Sequence, residues 1–350
     1  MQIAFLTVGD PARLTGGYLY HRELFARLRA RGVAVDQIVA SGAGLEEQLA
    51  AAPALGARLD PRRYDAIVVD ALARAAAAPW LDEWRRQRPL VAMVHELPSV
   101  AGGGTGGEEE REAPLLRADR LVAVSDDGAR ILAERGVEPG RIVVAPGGLD
   151  RLRALSPQPS ALSPQPSAVL CVAQWIERKG LLDLAAAWAL AARPGWRISL
   201  VGEDTADPAY AARVRAALAA APPGSVELRG PLSDDQLAAA YAGAAIFAMP
   251  SRYEGYGIAY AEAMAHGLPV LACAVGPVPA LLGPEAGLLV PPSDPAALAA
   301  ALGRLMDDPA LRARMSAAAS ARAAQLPTWD DTATAFLRAV EGAITSRLPA

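Results

Sequence analysis

The chain has 350 residues, 52% of them hydrophobic and 21% charged, with a formal net charge of −4. That length suits two domains at roughly 150 residues each. The balance argues against wholesale disorder and against bulk nucleic-acid binding. The three histidines are scattered, and the two cysteines, Cys171 and Cys273, stand about a hundred positions apart in apolar runs, so neither zinc spacing nor a disulfide framework follows.

The N-terminus, MQIAFLTVGD, reads as a strand from the outset, unlike the charged-then-apolar pattern of a secretory signal. No stretch approaches the ~20 uninterrupted apolar residues of a membrane span, so a cytoplasmic protein is expected, at most peripheral to the inner membrane face. After IAFLTV (3–8) come a Gly-containing loop and an amphipathic helix, 18–32, ending at Gly32. Strands are expected at 33–40, 64–71, 90–95, 120–125 and 141–146, with helices between most of them. Trp80, Leu81 and Trp84, beside Arg85, Arg86 and Arg88, form a short aromatic-basic helix whose aromatics are expected to face the core rather than lipid. AGGGTGGEEERE (101–112) is either a mobile flap or a plain loop, its five glycines in seven residues being costly to fix.

Residues 156–167, SPQPSALSPQPS, repeat a Pro-rich unit that suits a semi-rigid linker. A second strand series follows at 168–173, 197–202, 225–230, 244–250, 268–274 and 287–292, again with helices between. A helical tail, 294–325, breaks at Leu326-Pro327, and a last helix starts after Thr328 as cap. The fold class expected is α/β: two doubly wound, parallel-sheet (Rossmann-like) domains facing across a cleft. The first spans 1–155, with the terminal helix 328–350 packing back on it; 156–167 link it to the second, 168–327.

Chemistry concentrates in MPSRYEGYGIAYAEAMAHGLPV (249–270). A strand ends at Pro250, a turn carries Gly255 and Gly257, and a helix begins near Ile258. Exposed N–H groups and the helix dipole there favour an anion. Glu254 lies in the turn and Glu262 on the helix, where a carboxylate could accept ribose hydroxyls. Alone, either acid reads equally well as a solvated side chain; strand, Gly-rich turn, helix and two acids together favour a site. In VAQWIERKGLLDLAAAW (172–188), Arg178 and Lys179 precede Gly180 at a helix entry, suited to a diphosphate or to an exposed basic turn. Lys179 is the only lysine in the chain. His95 ends the strand LVAMV, at the sheet edge where α/β ligands bind, although a structural hydrogen-bonding role fits as well. Gly16 and Gly17 follow the first strand. His21, on the next helix, faces either the acceptor or the surface, the surface being the expectation, and His266 is expected in packing or helix capping.

The order RKG, a strand ending GED, PSRYEGYGIAYAEAMAHGLPV and GLLVPPSD resembles the donor domain of family 4 retaining glycosyltransferases, closely over 168–310 and more loosely in the first domain. The resemblance implies the GT-B fold and sugar transfer from a nucleotide-sugar donor with retained anomeric configuration. It implies that Glu254 contacts the donor sugar, Glu262 the ribose, and the backbone of Tyr256, Gly257 and Ile258 the phosphates. By the same resemblance Lys179 would match the diphosphate-binding lysine, His95 would face the sugar, and Gly16 and Gly17 would lie near the phosphates and the acceptor. Many members have Gly-Arg before that lysine; here Ala173-Gln174 stands instead, so Gln174 gives hydrogen bonds without charge and Arg178 is left to compensate.

No cofactor is expected, and no metal, since there is no Asp-x-Asp arrangement. The partners are the donor and an acceptor that is a glycan, a lipid-linked group or a small molecule. Two other readings stay open: a non-catalytic sugar-nucleotide-binding relative, and an epimerase on the same fold. A phosphorylase is disfavoured because the one lysine already serves the diphosphate.

Overall fold

Strands apolar on both faces must be covered on both sides, and helices between them force parallel pairing. The computed structural model describes residues 1–13, 15–42, 44–101, 107–152 and 167–347. The glycine run 102–106 and linker residues 156–166 lie outside the described residues. The chain divides into two units: Met1–Arg13, Gly17–Gly147 and Pro327–Ala350 form one, Leu14–Gly16 and Gly148–Leu326 the other. The passage to the second unit comes at Gly148, ahead of the expected 155.

The first unit runs β1 (Gln2–Val8), α1 (Gly16–Ala30), β2 (Ala34–Ala40), α2 (Leu45–Arg58), β3 (Ala66–Asp70), α3 (Arg74–Ala77), α4 (Leu81–Gln87) and β4 (Leu90–Val94). It continues with α5 (Pro98–Ala101), α6 (Glu108–Leu116), β5 (Arg120–Ala123), α7 (Asp126–Glu134) and β6 (Ile142–Val144). The sheet order is β2-β1-β3-β4-β5-β6, and every pair is parallel. The central strands β3 and β4 are buried throughout. Strand order reverses between β1 and β3, and loops leaving the C-terminal ends of such a pair diverge to opposite faces, opening a crevice.

Trp84 is buried, and Trp80 Nε1 donates to Ala52 O at 2.7 Å, so the aromatic-basic helix turns its rings inward as expected. Residues 108–112, included in the candidate flap, form the start of α6. Glu112 is fully buried there, accepting from Ser99 N (2.8 Å) and Ser99 Oγ (2.6 Å) and from Arg135 Nη2 (3.3 Å). A buried carboxylate needs such partners.

The second unit runs β7 (Ala168–Val172), α8 (Leu181–Ala191), β8 (Arg197–Val201), α9 (Pro208–Leu218), β9 (Val226–Arg229), α10 (Asp234–Ala242) and β10 (Ile246–Met249). Then come α11 (Ile258–Ala265), β11 (Val270–Cys273), α12 (Val278–Ala286), β12 (Gly287–Val290), α13 (Pro295–Asp307) and α14 (Pro309–Ala323). Its sheet, β12-β11-β10-β7-β8-β9, is also all parallel, with the reversal between β7 and β10. Both cysteines are free and buried in it. The tail expected as one helix is two. The Asp308 side chain accepts from Leu311 N at 2.8 Å, and Pro309 occupies the first helical position, so the chain restarts there.

The last helix, α15 (Trp329–Thr345), belongs to the first unit and packs against β4, β5 and β6. Thr328 caps it in a reciprocal box with Asp331. Its Thr332 hydroxyl donates to Pro146 O at 2.6 Å, and Trp329 is fully buried with its ring edge-on to Tyr20 at 5.4 Å. A core tryptophan truncated to alanine loses about 3–5 kcal/mol. Trp329→Ala should therefore lower the urea midpoint of the first unit by that equivalent, whereas Leu190→Ala, at a residue 69% exposed, should leave the protein's midpoints unchanged.

Candidate functional site

At the switch point of the second unit, the chain leaves β7 through Ala173-Gln174-Trp175-Ile176 and makes one 3-10 turn, Glu177–Lys179. Gly180 then takes φ +67°, and a Cβ there would lie 2.1 Å from Pro250 O. Only glycine allows this approach between the loops after β7 and β10. Two contacts clasp the loops. Arg252 N donates to Arg178 O at 2.7 Å, and the Arg252 guanidinium reaches both oxygens of Asp183 on α8, the shortest contact being 3.0 Å.

This clasp brings together the two charges singled out in the sequence. Lys179 Nζ donates to Glu254 Oε1 at 2.6 Å, with side chains 14% and 7% exposed. Burial pushes the Glu254 carboxyl up, but the charges of Lys179 and Arg178 outweigh it and hold the group below its ordinary value. Three residues on, Gly257 takes φ +103° at the start of α11, where a Cβ would meet the Tyr260 ring at 2.7 Å. The first amides within α11 to bond back are those of Tyr260 and Ala261, both to Gly257 O. The helix mouth at Gly257 and Ile258 is thus built like other helix N-termini, with amides ahead of the first intrahelical bond. The Tyr256 hydroxyl is buried nearby with no hydrogen-bond partner.

Glu262, one turn further on, is buried. Its Oε1 accepts from Arg151 Nη2 at 2.5 Å and its Oε2 lies 3.2 Å from the Tyr241 hydroxyl, while Arg151 Nη1 reaches Asp234 Oδ1 at 2.5 Å. Arg151 escaped the sequence reading because it stands alone between the two strand series, in no periodic pattern. His266 caps α11, its Nδ1 2.8 Å from Glu262 O and its ring stacked on Tyr241, as expected. Gln174 Nε2 donates to Glu203 Oε2 at 3.0 Å, so its amide is already engaged by a carboxylate.

Gly16 and Gly17 open α1, and a Cβ at either would meet nothing within 4 Å. Their own fold does not demand glycine, and the space beside them is open. His95 follows β4, half-buried, its ring edge-on to Tyr20 at 4.9 Å. Its Nε2 lies 2.9 Å from His21 Nε2, which in turn lies 3.3 Å from Asp70 Oδ2. His21 is therefore not a surface residue; it is 2% exposed and sandwiched by Phe5 and Phe25. The signal was present, since 21, 24, 25 and 28 form one apolar helical stripe. Asp70 Oδ1 accepts from Leu72 N (2.9 Å) and Oδ2 from the Thr7 hydroxyl (3.3 Å). Burial dominates the titration of the group: Asp70 is pushed up to about 7, His95 down to about 4, and His21 well below its ordinary value.

A parallel sheet with a cation, a carboxylate and a helix N-terminus at its switch point is the layout of a nucleotide-binding α/β protein. Residues 166–308 match the family of glycosyl transferases group 1, and residues 16–153 match glycosyltransferase family 4. A D-inositol 3-phosphate glycosyltransferase of Streptomyces avermitilis is 34% identical over 73% of this chain and 61% of its own length. One from Acidothermus cellulolyticus is 30% identical over 94% of this chain and 86% of its own. The structure of a sucrose-phosphate synthase from Thermosynechococcus elongatus superposes with TM-score 0.78 at 25% identity, covering 96% of this chain and 97% of that one. The chain belongs to the group 1/family 4 glycosyltransferases, although it spans only about three fifths of the Streptomyces relative. Among the described residues no helix is long and apolar enough to cross a membrane.

Removing one member of a buried ion pair costs about 3–5 kcal/mol because the other charge is left uncompensated. Lys179→Ala should lose about that much at pH 7. Because the Glu254 pKa is depressed, the pair stabilises the fold above the unfolded carboxyl's titration and ceases to do so as pH falls through the folded value. The gap between wild type and variant should accordingly narrow from pH 7 towards pH 4 in urea titrations; a gap independent of pH would contradict the pairing.

Proposed function

We propose that the chain transfers a sugar from a nucleotide-sugar donor to an acceptor hydroxyl, with retained anomeric configuration and without a metal ion. The observation that carries this reading is the buried Lys179–Glu254 pair beside the mouth of α11, at the β7/β10 switch point. A diphosphate entering there exchanges Glu254 for phosphate oxygens as the partner of Lys179, and the amides around Tyr256, Gly257 and Ile258 take the remaining oxygens. Released from the pair, Glu254 orients the donor sugar. Glu262, fixed by Arg151, receives the ribose hydroxyls.

In the reaction the bond between C1 and the phosphate oxygen breaks, and the acceptor oxygen bonds to C1 on the same face. The acceptor proton passes to the departing phosphate. Lys179 stabilises the charge that develops there, helped by Arg178 and by hydrogen bonds from Gln174. His95 is a second orienting group for the sugar, and Gly16 and Gly17 leave room for the phosphates. The names of the relatives make a phosphorylated cyclitol the first acceptor to test.

One observation favours a second reading, sugar-nucleotide binding without turnover: Gln174 adds no charge and is bonded to Glu203. Slow donor hydrolysis that disappears in Glu254→Ala supports catalysis; tight binding with no turnover on any acceptor supports the alternative.

A thermal-shift panel of nucleotides tests the site itself. A ligand at a hundred times its Kd adds about 2.7 kcal/mol of stability. Nucleoside diphosphates should stabilise the wild type well beyond monophosphates, and Lys179→Ala should abolish that difference, whatever its own starting midpoint. Equal shifts for di- and monophosphates in the wild type would contradict the assignment.

A further inference from the structure

With Asp70 ionised, the cluster of His95, His21 and Asp70 poses a proton-counting problem with one good solution. Both imidazoles are neutral, because burial depresses their pKa values, so each carries one ring proton. The same atom, His21 Nε2, faces His95 Nε2 at 2.9 Å and Asp70 Oδ2 at 3.3 Å. His21 Nδ1 is buried and has no hydrogen-bond partner.

Suppose first that His21 Nε2 bears a lone pair. His95 Nε2–H can then donate to it, but the Asp70 carboxylate faces that lone pair with no hydrogen between them. The proton of His21 would sit on Nδ1, a buried donor with no acceptor, which is among the rarest defects of native interiors. Suppose instead that His21 Nε2 bears the proton. It then donates to both neighbours, satisfying the carboxylate and the His95 ring nitrogen together, and the unpartnered Nδ1 is only an acceptor. His95 Nε2 must then be unprotonated, leaving the His95 proton on Nδ1.

Asp70 decides between the two arrangements. Leu72 N–H and the Thr7 hydroxyl both point at its oxygens, holding it as an acceptor at the end of β3. Phe5 and Phe25 fix the plane of the His21 ring, and Tyr20 that of His95. The second neighbour of an imidazole sets its tautomer in this way wherever the ring is held in place.

We propose that Asp70 and His21 are positioning residues that hold His95 in its Nδ1–H tautomer, so that His95 offers a hydrogen-bond donor at Nδ1. They touch no reacting atom; they act through His95. For the reaction, this rests on the reading of His95 as an orienting group: a neutral Nδ1–H donates to a sugar oxygen, and an unprotonated Nδ1 cannot.

The test is the ring nitrogen spectrum of 15N-histidine-labelled full-length protein at pH 8, where Asp70 is ionised. Three histidines make the assignment tractable. In the wild type, His95 should show a protonated Nδ1 and an unprotonated Nε2. Asp70→Asn keeps the shape but offers an amide donor to His21 Nε2, so the His95 proton should move to Nε2 and the two ring signals exchange character. His21→Leu removes the fixing partner and should give averaged His95 signals, a second route should Asp70→Asn fold poorly.

A wild-type His95 protonated at Nε2, or signals unchanged in both variants, overturns the proposal. So does one equivalent of zinc in the purified protein that disappears in Asp70→Asn, since one nitrogen of each histidine and an Asp70 oxygen lie within 4.8 Å of one another and a metal there would replace the shared proton. Transfer kinetics read the other claim separately. With His95 as an orienting group, Asp70→Asn lowers kcat about tenfold or more at similar donor KM. A tautomer exchange with kcat unchanged upholds the assignment of the proton and counts against the role of His95.

Discussion

A lysine and a glutamate that pair while largely buried are the constraint on which the second unit is organised. Neither charge tolerates burial alone. Their meeting requires the loops after two neighbouring parallel strands to approach within van der Waals contact, which Gly180 permits and the Arg178–Arg252 backbone bond secures. The sheet order places β7 beside β10, so residues 75 positions apart, Lys179 and Glu254, face each other at its C-terminal edge. Electrostatics, backbone geometry and topology therefore converge on one spot.

The same logic extends outward. Arg151 pairs with both Glu262 and Asp234, so each of these acids has a specific cation as partner, and a ligand need only exchange partners rather than create a charge. Exchange is cheaper than desolvating a bare charge, and it also favours an anionic ligand over a neutral one. In the first unit the problem is solved differently. Asp70 has hydrogen bonds but no cation as partner, and its carboxyl is correspondingly hard to ionise. Two neutral imidazoles beside it form a hydrogen-bonded chain instead of an ion pair.

Much of this was legible in the sequence because it is local. Short apolar runs alternating with helices fix an all-parallel α/β arrangement, and glycines in a strand–turn–helix unit mark where the backbone bends and where acids gather. The break at Asp308-Pro309 was legible too, as a cap followed by proline at the first helical position; helical composition on both sides hid it. Long-range partners are another matter. Arg151 lies in no repeating pattern, and its pairing with Glu262 depends on a fold that brings together residues 111 positions apart. Asp70 reads as the end of an apolar strand, and its meeting with His21 on α1 is a tertiary contact that no local pattern displays. His21 was misjudged by residue type when its position on the stripe with Leu24, Phe25 and Leu28 should have prevailed.

The chain's single lysine permits a direct look at the central pair. Lysine labelled with 15N gives one side-chain ammonium signal, which can be followed while a nucleoside diphosphate is titrated in. If Lys179 exchanges Glu254 for phosphate, that signal shifts saturably with the ligand's binding isotherm, and a coupling to 31P appears across the new hydrogen bond. A diphosphate that binds while leaving the ammonium signal unmoved would contradict the account.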